Sequence, residues 1–376
     1  MKLTSFAYLI FVSTLIISCS NTDQNSTVQE IDYATLNTLN FTTELEIGES
    51  EDFLPGNLTS LVVTSNGDII VADRGNVSIE QFDTDGNYRG RVAKEGQGPG
   101  EVSGFFSLKN LGNDTLLVTS SSGTIMKFGA TSDGMIEFIS DEKLDQNGNS
   151  FSIFSELKPG QYLASKQLVI RDITRYLQNV DDYRTNTFGI INADGSVMSD
   201  SLFGLKTSYP HIEQTSNGGI SINAVPYRFI DRISMFDDGS YIIARVDSGF
   251  AKIYDNDHSV QKTIPLNIKE REITDADLEY SLRELEGKTK SDIAQRVGSI
   301  KPPYQNMWTS SDKIWLLTDT NESGKEIAVL DLDGKALGKF MLSIEDNIQH
   351  IDGDYIYSIF SSETEGDLIR KYKVEL

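Results

Sequence analysis

Apolar residues in this chain come in short runs, and each run is entered through a turn of Gly, Asp or Asn. The pattern occurs six times, at 67–72, 114–118, 160–164, 239–244, 312–317 and 353–357, the first copy reading Gly67-Asp68-Ile69-Ile70-Val71-Ala72. A second apolar run follows each copy, and five of these lead into another Asp/Gly turn, as in Phe82-Asp83-Thr84-Asp85-Gly86 and Leu330-Asp331-Leu332-Asp333-Gly334. Runs this short, separated by residues that tolerate tight-turn backbone angles, predict strands. Their return every ~40–50 residues predicts an all-β chain folded as a six-bladed β-propeller. One such unit cannot bury both faces of its sheet, so the copies must stack around an axis.

Each unit reads as four strands, a to d, from the axis outward. Strand a precedes the turn at 58–64, 105–111, 151–157, 229–236, 306–310 and 348–351. Strand b is the recurring run itself. Strand c falls at 78–82, 124–128, 186–191, 250–254, 326–330 and 368–374, and strand d follows, as at 88–92 and 336–342. The sixth copy reaches the end of the sequence at strand c, and a missing outer strand would leave an open sheet edge. Phe41–Ile47 has a strand pattern and no unit of its own, so it is expected to close the last blade.

Three connections are long: 166–185 (b–c of blade 3), 203–227 (d–a, blades 3 to 4) and 267–304 (d–a, blades 4 to 5). In a propeller the b–c and d–a connections share one face, so all three insertions are expected together there, and loops on a rigid scaffold are where binding concentrates. The third insertion, about 270–299, reads as helical. Thr274-Asp275-Ala276-Asp277 has a capping-box pattern and Leu278, Leu282 and Leu285 recur at helical spacing. Gly287 is expected to end that helix, a second one is expected over 291–297, and the leucine stripe is expected to lie on the propeller rim.

The same face gathers arginine and tyrosine. Arg171, Arg175 and Tyr176 lie in the first insertion, Tyr209, His211, Tyr227 and Arg228 in the second, and Tyr304 and Gln305 close the third; Arg74 and Arg245 sit at b–c positions near the axis. In a chain of net charge −23, this set suggests a site for an anionic or carbohydrate-like ligand, or a protein, peptide or glycan partner. The competing reading pairs the arginines with Asp172, Asp181, Asp182 and Asp231. The same negative charge, with no basic stripe, argues against nucleic acid.

The first residues read as an export signal: Lys2, then an apolar stretch over 5–18 that is too short to span a bilayer. It ends in Leu15-Ile16-Ile17-Ser18-Cys19, which resembles the bacterial lipobox, whose cysteine becomes the lipidated first residue. The sequence therefore divides into a signal peptide (1–18), a polar flexible tether (19–38) and a propeller (39–376), with lipidation at Cys19 as the only expected membrane attachment. Cys19 is the sole cysteine, so no disulfide and no cysteine chemistry remain. The expected address is the cell envelope, as an outer-membrane lipoprotein on its periplasmic or surface face.

Blade 1 carries a closer likeness. The segments 66–76 and 79–86 resemble the NHL repeat, and Gly96-Gln97-Gly98-Pro99-Gly100-Glu101 resembles the loop after such a blade in exported six-bladed propeller lipoproteins of Bacteroidota, the TolB-like or NHL-like group. That likeness implies fold and address and no single activity. Related propellers include lactonases and phosphoesterases that hold a divalent cation in the channel. This implies a second reading, a metal-dependent hydrolase whose channel would draw on Asn57, Asn110, Asn306 and Asp231. A purely structural part of an envelope complex is a third.

Other chemistry is poorly supported. The 96–100 segment lacks the strand–loop–helix context of a nucleotide loop. Asp83-Thr84-Asp85-Gly86 has Gly at position four rather than six of a calcium loop, and reads as a hairpin turn. His211, His258 and His350 are the only histidines and none is spaced as a metal pair; His258 is expected to be solvated in a turn and His350 to face the channel. No G-x-S-x-G elbow is present. The favoured reading is a binding module with no cofactor and no catalytic residues.

Overall fold

The computed structural model describes residues 29–110, 114–120, 124–143, 151–166, 183–215 and 218–376. β1 (Phe41–Ile47) precedes blade 1, which contains β2 (Leu58–Val63), β3 (Ile69–Asp73), β4 (Ser78–Phe82) and β5 (Tyr88–Ala93). Blade 2 holds β6 (Phe106–Asn110), β7 (Thr115–Ser120), β8 (Thr124–Ala130) and β9 (Ile136–Lys143). Blade 3 holds β10 (Phe151–Lys158), β11 (Gln161–Lys166), β12 (Arg184–Asn192) and β13 (Val197–Ser208). A separate hairpin, β14 (Pro210–Gln214) and β15 (Ile220–Ala224), leads to blade 4, with β16 (Arg232–Met235), β17 (Tyr241–Arg245), β18 (Phe250–Tyr254) and β19 (Val260–Pro265). Two helices, α1 (Asp275–Ser281) and α2 (Gly287–Ala294), come before blade 5, with β20 (Asn306–Ser310), β21 (Lys313–Asn321), β22 (Gly324–Asp331) and β23 (Ala336–Leu342). Blade 6 is β24 (Asp346–Asp352), β25 (Tyr355–Ser362) and β26 (Gly366–Val374), with β1 as its outer strand.

The six-bladed propeller and its closure are therefore as the sequence implies. β1 runs antiparallel to β26, from Phe41 opposite Val374 to Ile47 opposite Ile369. Arg370 bonds Glu46 at 2.7 Å, and the Phe41 ring meets Tyr372 edge-on with centroids 5.5 Å apart.

Side-chain alternation explains why the b strands are apolar throughout. Successive residues point to opposite faces, and both faces meet a neighbouring blade. Ile70 and Ala72 pack against blade 2, whereas Ile69 and Val71 pack against blade 6, and all four are fully buried. Each of the six blade interfaces has its own apolar cluster, including Trp315 between blades 5 and 6 and Tyr241 between blades 3 and 4.

The c–d turns explain the recurring aspartates. Asp83 Oδ1 accepts the amides of Asp85 (3.0 Å) and Asn87 (2.8 Å), and Gly86 takes a left-handed φ of 85°. Asp331 repeats this in blade 5 with Asp333 and Lys335, both at 2.9 Å. In blade 4 the left-handed position falls to His258, with φ 66°. That residue is not simply solvated, because its Nδ1 meets the Tyr241 hydroxyl at 2.9 Å.

Four expectations need correction. The end of the segment expected as a tether is packed instead: Ile31 and Tyr33 are buried against blades 4 and 5, and the amide of Leu39, just beyond it, bonds the carbonyl of Lys339. The second insertion is partly regular, since β13 continues to Ser208 and β14–β15 forms a hairpin. Thr274 does make the capping box, its hydroxyl accepting from the Asp277 amide at 3.2 Å while Asp277 Oδ2 accepts from the Thr274 amide at 2.8 Å. However, α1 ends at Ser281, and Gly287, left-handed at φ 56°, opens α2 rather than ending α1. Lastly, the leucine stripe does not lie on the rim. Leu282 and Leu285 join Tyr209, Val225 and Ile293 in a seventh apolar cluster made by the two insertions themselves. No helix among the described residues is long and apolar enough to cross a membrane.

Candidate functional site

The hairpin and the helical insertion form one small raised unit, here termed the crown, on the b–c/d–a face of blades 3 to 5. β12 and β13 lift it, pairing Arg184 with Ser208 beyond the end of the inner strands. Tyr209 sits at its centre, 5% exposed, with the guanidinium carbons of Arg228 and Arg296 4.0 and 4.8 Å from its ring centroid. Arg228 Nη2 also donates to the carbonyl of Arg296, tying the chain before blade 4 to the end of the helical pair. Tyr227, strained at φ 54°, reaches the Asp277 carbonyl through its hydroxyl at 3.3 Å.

A buried ion network roots the crown in blade 5. Lys301 Nζ lies 2.6 Å from Asp277 Oδ1 and 2.7 Å from Asp319 Oδ2, with its side chain 9% exposed. Burial alone would lower the Lys301 pKa, but its bonds to Asp277 and Asp319 outweigh that and hold it above the ordinary value. Burial likewise opposes ionisation of Asp277, yet Lys301 and the capping contacts with Thr274 hold its pKa below the usual carboxylate range. Arg271 extends the network, with Nη1 3.6 Å from Glu326 and Nη2 bonded to the Thr318 carbonyl at 2.6 Å.

The predicted ligand residues thus separate into groups. Tyr209, His211 and Tyr227 are buried within the crown, and Arg228 is half-buried there, so these residues hold it together rather than face solvent. Tyr304 is buried between blades 4 and 5, where burial raises its pKa well above that of a free phenol. Gln305 is engaged too: its backbone carbonyl accepts from Arg232 and its side-chain oxygen from Thr320 at 3.1 Å. Arg74 and Arg245 stay exposed; Arg74 covers the Phe105 ring at 4.7 Å, and Arg245 lies 3.5 Å from Asp231. Arg171, Arg175, Tyr176 and Cys19 fall outside the described residues.

Asp231, one of the four residues named for a hydrolase, is already engaged by the backbone. It is 4% exposed, and its two oxygens accept the amides of Lys206 (3.0 Å) and Val246 (3.3 Å). Asn57 is exposed at the blade 1 entry, where Asp73 holds its amide. A cavity of about 400 Å³ opens at the opposite, a–b end of the axis, lined among others by Asp114, Asp237, Trp308, Gln349, His350 and Asp352. His350 does face this channel. Burial lowers its pKa, with Asp237 and Asp352 opposing.

Two residues of chemical interest were missed in the sequence, Glu213 and Asp292. His211-Ile212-Glu213 places two ligand-type side chains on one face of a strand, a signal available from the period of two. Asp292 joins them only through the fold.

The family model described as a 6-bladed beta-propeller matches residues 18–196 of the chain. The structure is similar to that of a protein of Bacteroides fragilis described as exported (11% identity, TM-score 0.47, covering 92% of this chain and 96% of that one). It is similar also to a member of the duf4221 family from Bacteroides vulgatus (10% identity, TM-score 0.48, covering 90% and 99%). A third similar structure is the virginiamycin B lyase of Staphylococcus aureus (13% identity, TM-score 0.44, covering 89% and 99%). No curated protein matches the sequence. The six-bladed propeller read from the sequence is thus matched by a family model over residues 18–196.

Proposed function

We propose that the protein is an extracytoplasmic binding module, lipid-anchored through Cys19 in the outer membrane, that engages a partner or ligand with the crown side of blades 3 to 5. One observation carries this reading. Two separate insertions have folded into a single body with its own apolar core and a buried Lys–Asp network, neither of which closes the propeller. Fixing such loops costs chain entropy that closure of the ring does not require, and rigid presentation is what an interaction surface needs. The outward face of β15 supports it further: Ile220 and Ile222, two residues apart on one strand face, are 39% and 51% exposed.

The test is site-directed cross-linking in intact cell envelopes. A photoreactive side chain at Ala224, on the same exposed strand face as Ile220 and Ile222, should capture one defined partner. Changing Ile220→Asp and Ile222→Asp should remove that product while leaving the melting temperature unchanged. Capture that survives the double change, or products only from positions on the a–b face, would move the binding site elsewhere.

A further inference from the structure

We propose that the crown contains a divalent-cation site formed by His211 and Glu213 of β14 and Asp292 of α2. Strand alternation puts the first two side chains on the same side of the hairpin, and α2 brings the third across from it. One ligand atom from each lies within 4.8 Å of the others. Ligands held at about 2.0–2.2 Å by a tetrahedral ion sit roughly 3.3 Å apart, so side-chain rotation alone can close the set.

The independent sign is the imidazole itself. His211 is 9% exposed, and its buried Nε2 has no hydrogen-bond partner. The nearest acceptor, Glu213 Oε2, is 3.7 Å away, beyond hydrogen-bond reach. A buried ring nitrogen aimed at a carboxylate across an unbridged gap is the arrangement that an ion completes. Glu213 is already oriented, because its other oxygen accepts the Thr289 hydroxyl, as metal-ligating carboxylates usually are.

Two cations compete for these groups. Lys288 bonds Asp292, but its side chain is 81% exposed and can leave into water. Arg296 Nη1 lies 3.3 Å from His211 Nδ1 and 3.4 Å from the Pro210 carbonyl. Metal at Nε2 leaves the ring proton on Nδ1, so Arg296 Nη1 gives up the ring nitrogen and retains the Pro210 carbonyl. One imidazole with two carboxylates suits Zn²⁺ or a similar first-row ion, whereas Ca²⁺ and Mg²⁺ want more oxygen ligands. Such an ion would pin the hairpin to α2.

The test uses the full chain in a Cys19→Ser background, which removes the one thiol that would take zinc. Chelator-stripped protein is titrated with Zn²⁺ against a chromophoric competitor. One ion should bind per chain, with Ca²⁺ at equal concentration failing to displace it. Glu213→Gln and Asp292→Asn should each weaken binding at least about tenfold, and Lys288→Ala should tighten it by removing the competing ammonium. Near-UV circular dichroism checks the fold of each variant, and if Glu213→Gln does not fold, Asp292→Asn and Lys288→Ala decide. Wild-type affinity in the folded carboxylate variants, no change in Lys288→Ala, or displacement by Ca²⁺ would each overturn the proposal.

Discussion

Arg228 lies over the ring of Tyr209, its guanidinium carbon 4.0 Å from the ring centroid, and its bond to the Arg296 carbonyl ties this second insertion to the helical one. Arg228 therefore acts as a fastener of the crown. Replacing it with Ala removes a desolvated cation–π contact and a bond to the Arg296 carbonyl, together about 1–3 kcal/mol. Hydrogen exchange should accelerate across 209–225 and 275–297 and stay unchanged in the blades. Uniform exchange throughout the chain would contradict a role confined to the crown.

Lys301 is the second fastener, and its loss should be costlier. Changing Lys301→Ala leaves Asp277 and Asp319 buried without their ammonium, a situation worth about 3–5 kcal/mol. The sign with pH is fixed by Asp277, whose folded pKa lies below the ordinary value of 3.8. Its stabilisation in the wild type is complete above that value and is lost as pH falls below it. In Lys301→Ala the orphaned carboxylates gain by protonation, so the gap between variant and wild type should narrow in acid. Denaturant titrations at neutral pH and near pH 4 measure this.

His258 and His350 both have pKa values lowered from 6.5, in each case first by burial. A lowered folded value means that the unfolded chain binds more protons, so stability should rise with pH through the ordinary histidine range and level off above it. Thermal unfolding between pH 5 and 8 should show this slope. His350→Gln should flatten it in part, and the double change with His258→Gln further. A slope unchanged in the double variant would place its origin elsewhere.

Anchoring has a direct test. Cys19→Ala should abolish lipid attachment and release the protein from the membrane fraction. Retention of the variant through a detergent-free, high-salt wash would refute attachment through Cys19.

The ring was readable because its signals are local. Each Asp/Gly turn specifies a hairpin through a few neighbouring amides, as at Asp83, and each b strand reveals its two-sided burial by being apolar at every position, as at Ile69 to Ala72. Even the closing strand followed from a missing edge. The crown was less readable because its contacts join residues distant in sequence. Arg228 meets Arg296, and Lys301 meets both Asp277 and Asp319, and nothing in the local pattern of either insertion announces the other. Arginine and tyrosine in loops suit a ligand and a mini-core equally well by composition. Only the burial of Tyr209 and Tyr227 separates the two. The tether failed for a similar reason: Ile31 and Tyr33 form too short an apolar pattern to stand out, yet a groove between blades 4 and 5 receives them.

The pairing of Phe41 with Val374 also governs when this molecule can come into being. The last sheet needs a strand from each extremity of the described chain, so contact order is high and ring completion is slow. A polypeptide emerging from a translocation pore N-terminus first would hold β1 as a bare strand until β26 followed. Until then its open edge is a template for other strands, and a chaperone that shields extended segments would have most to protect in that interval.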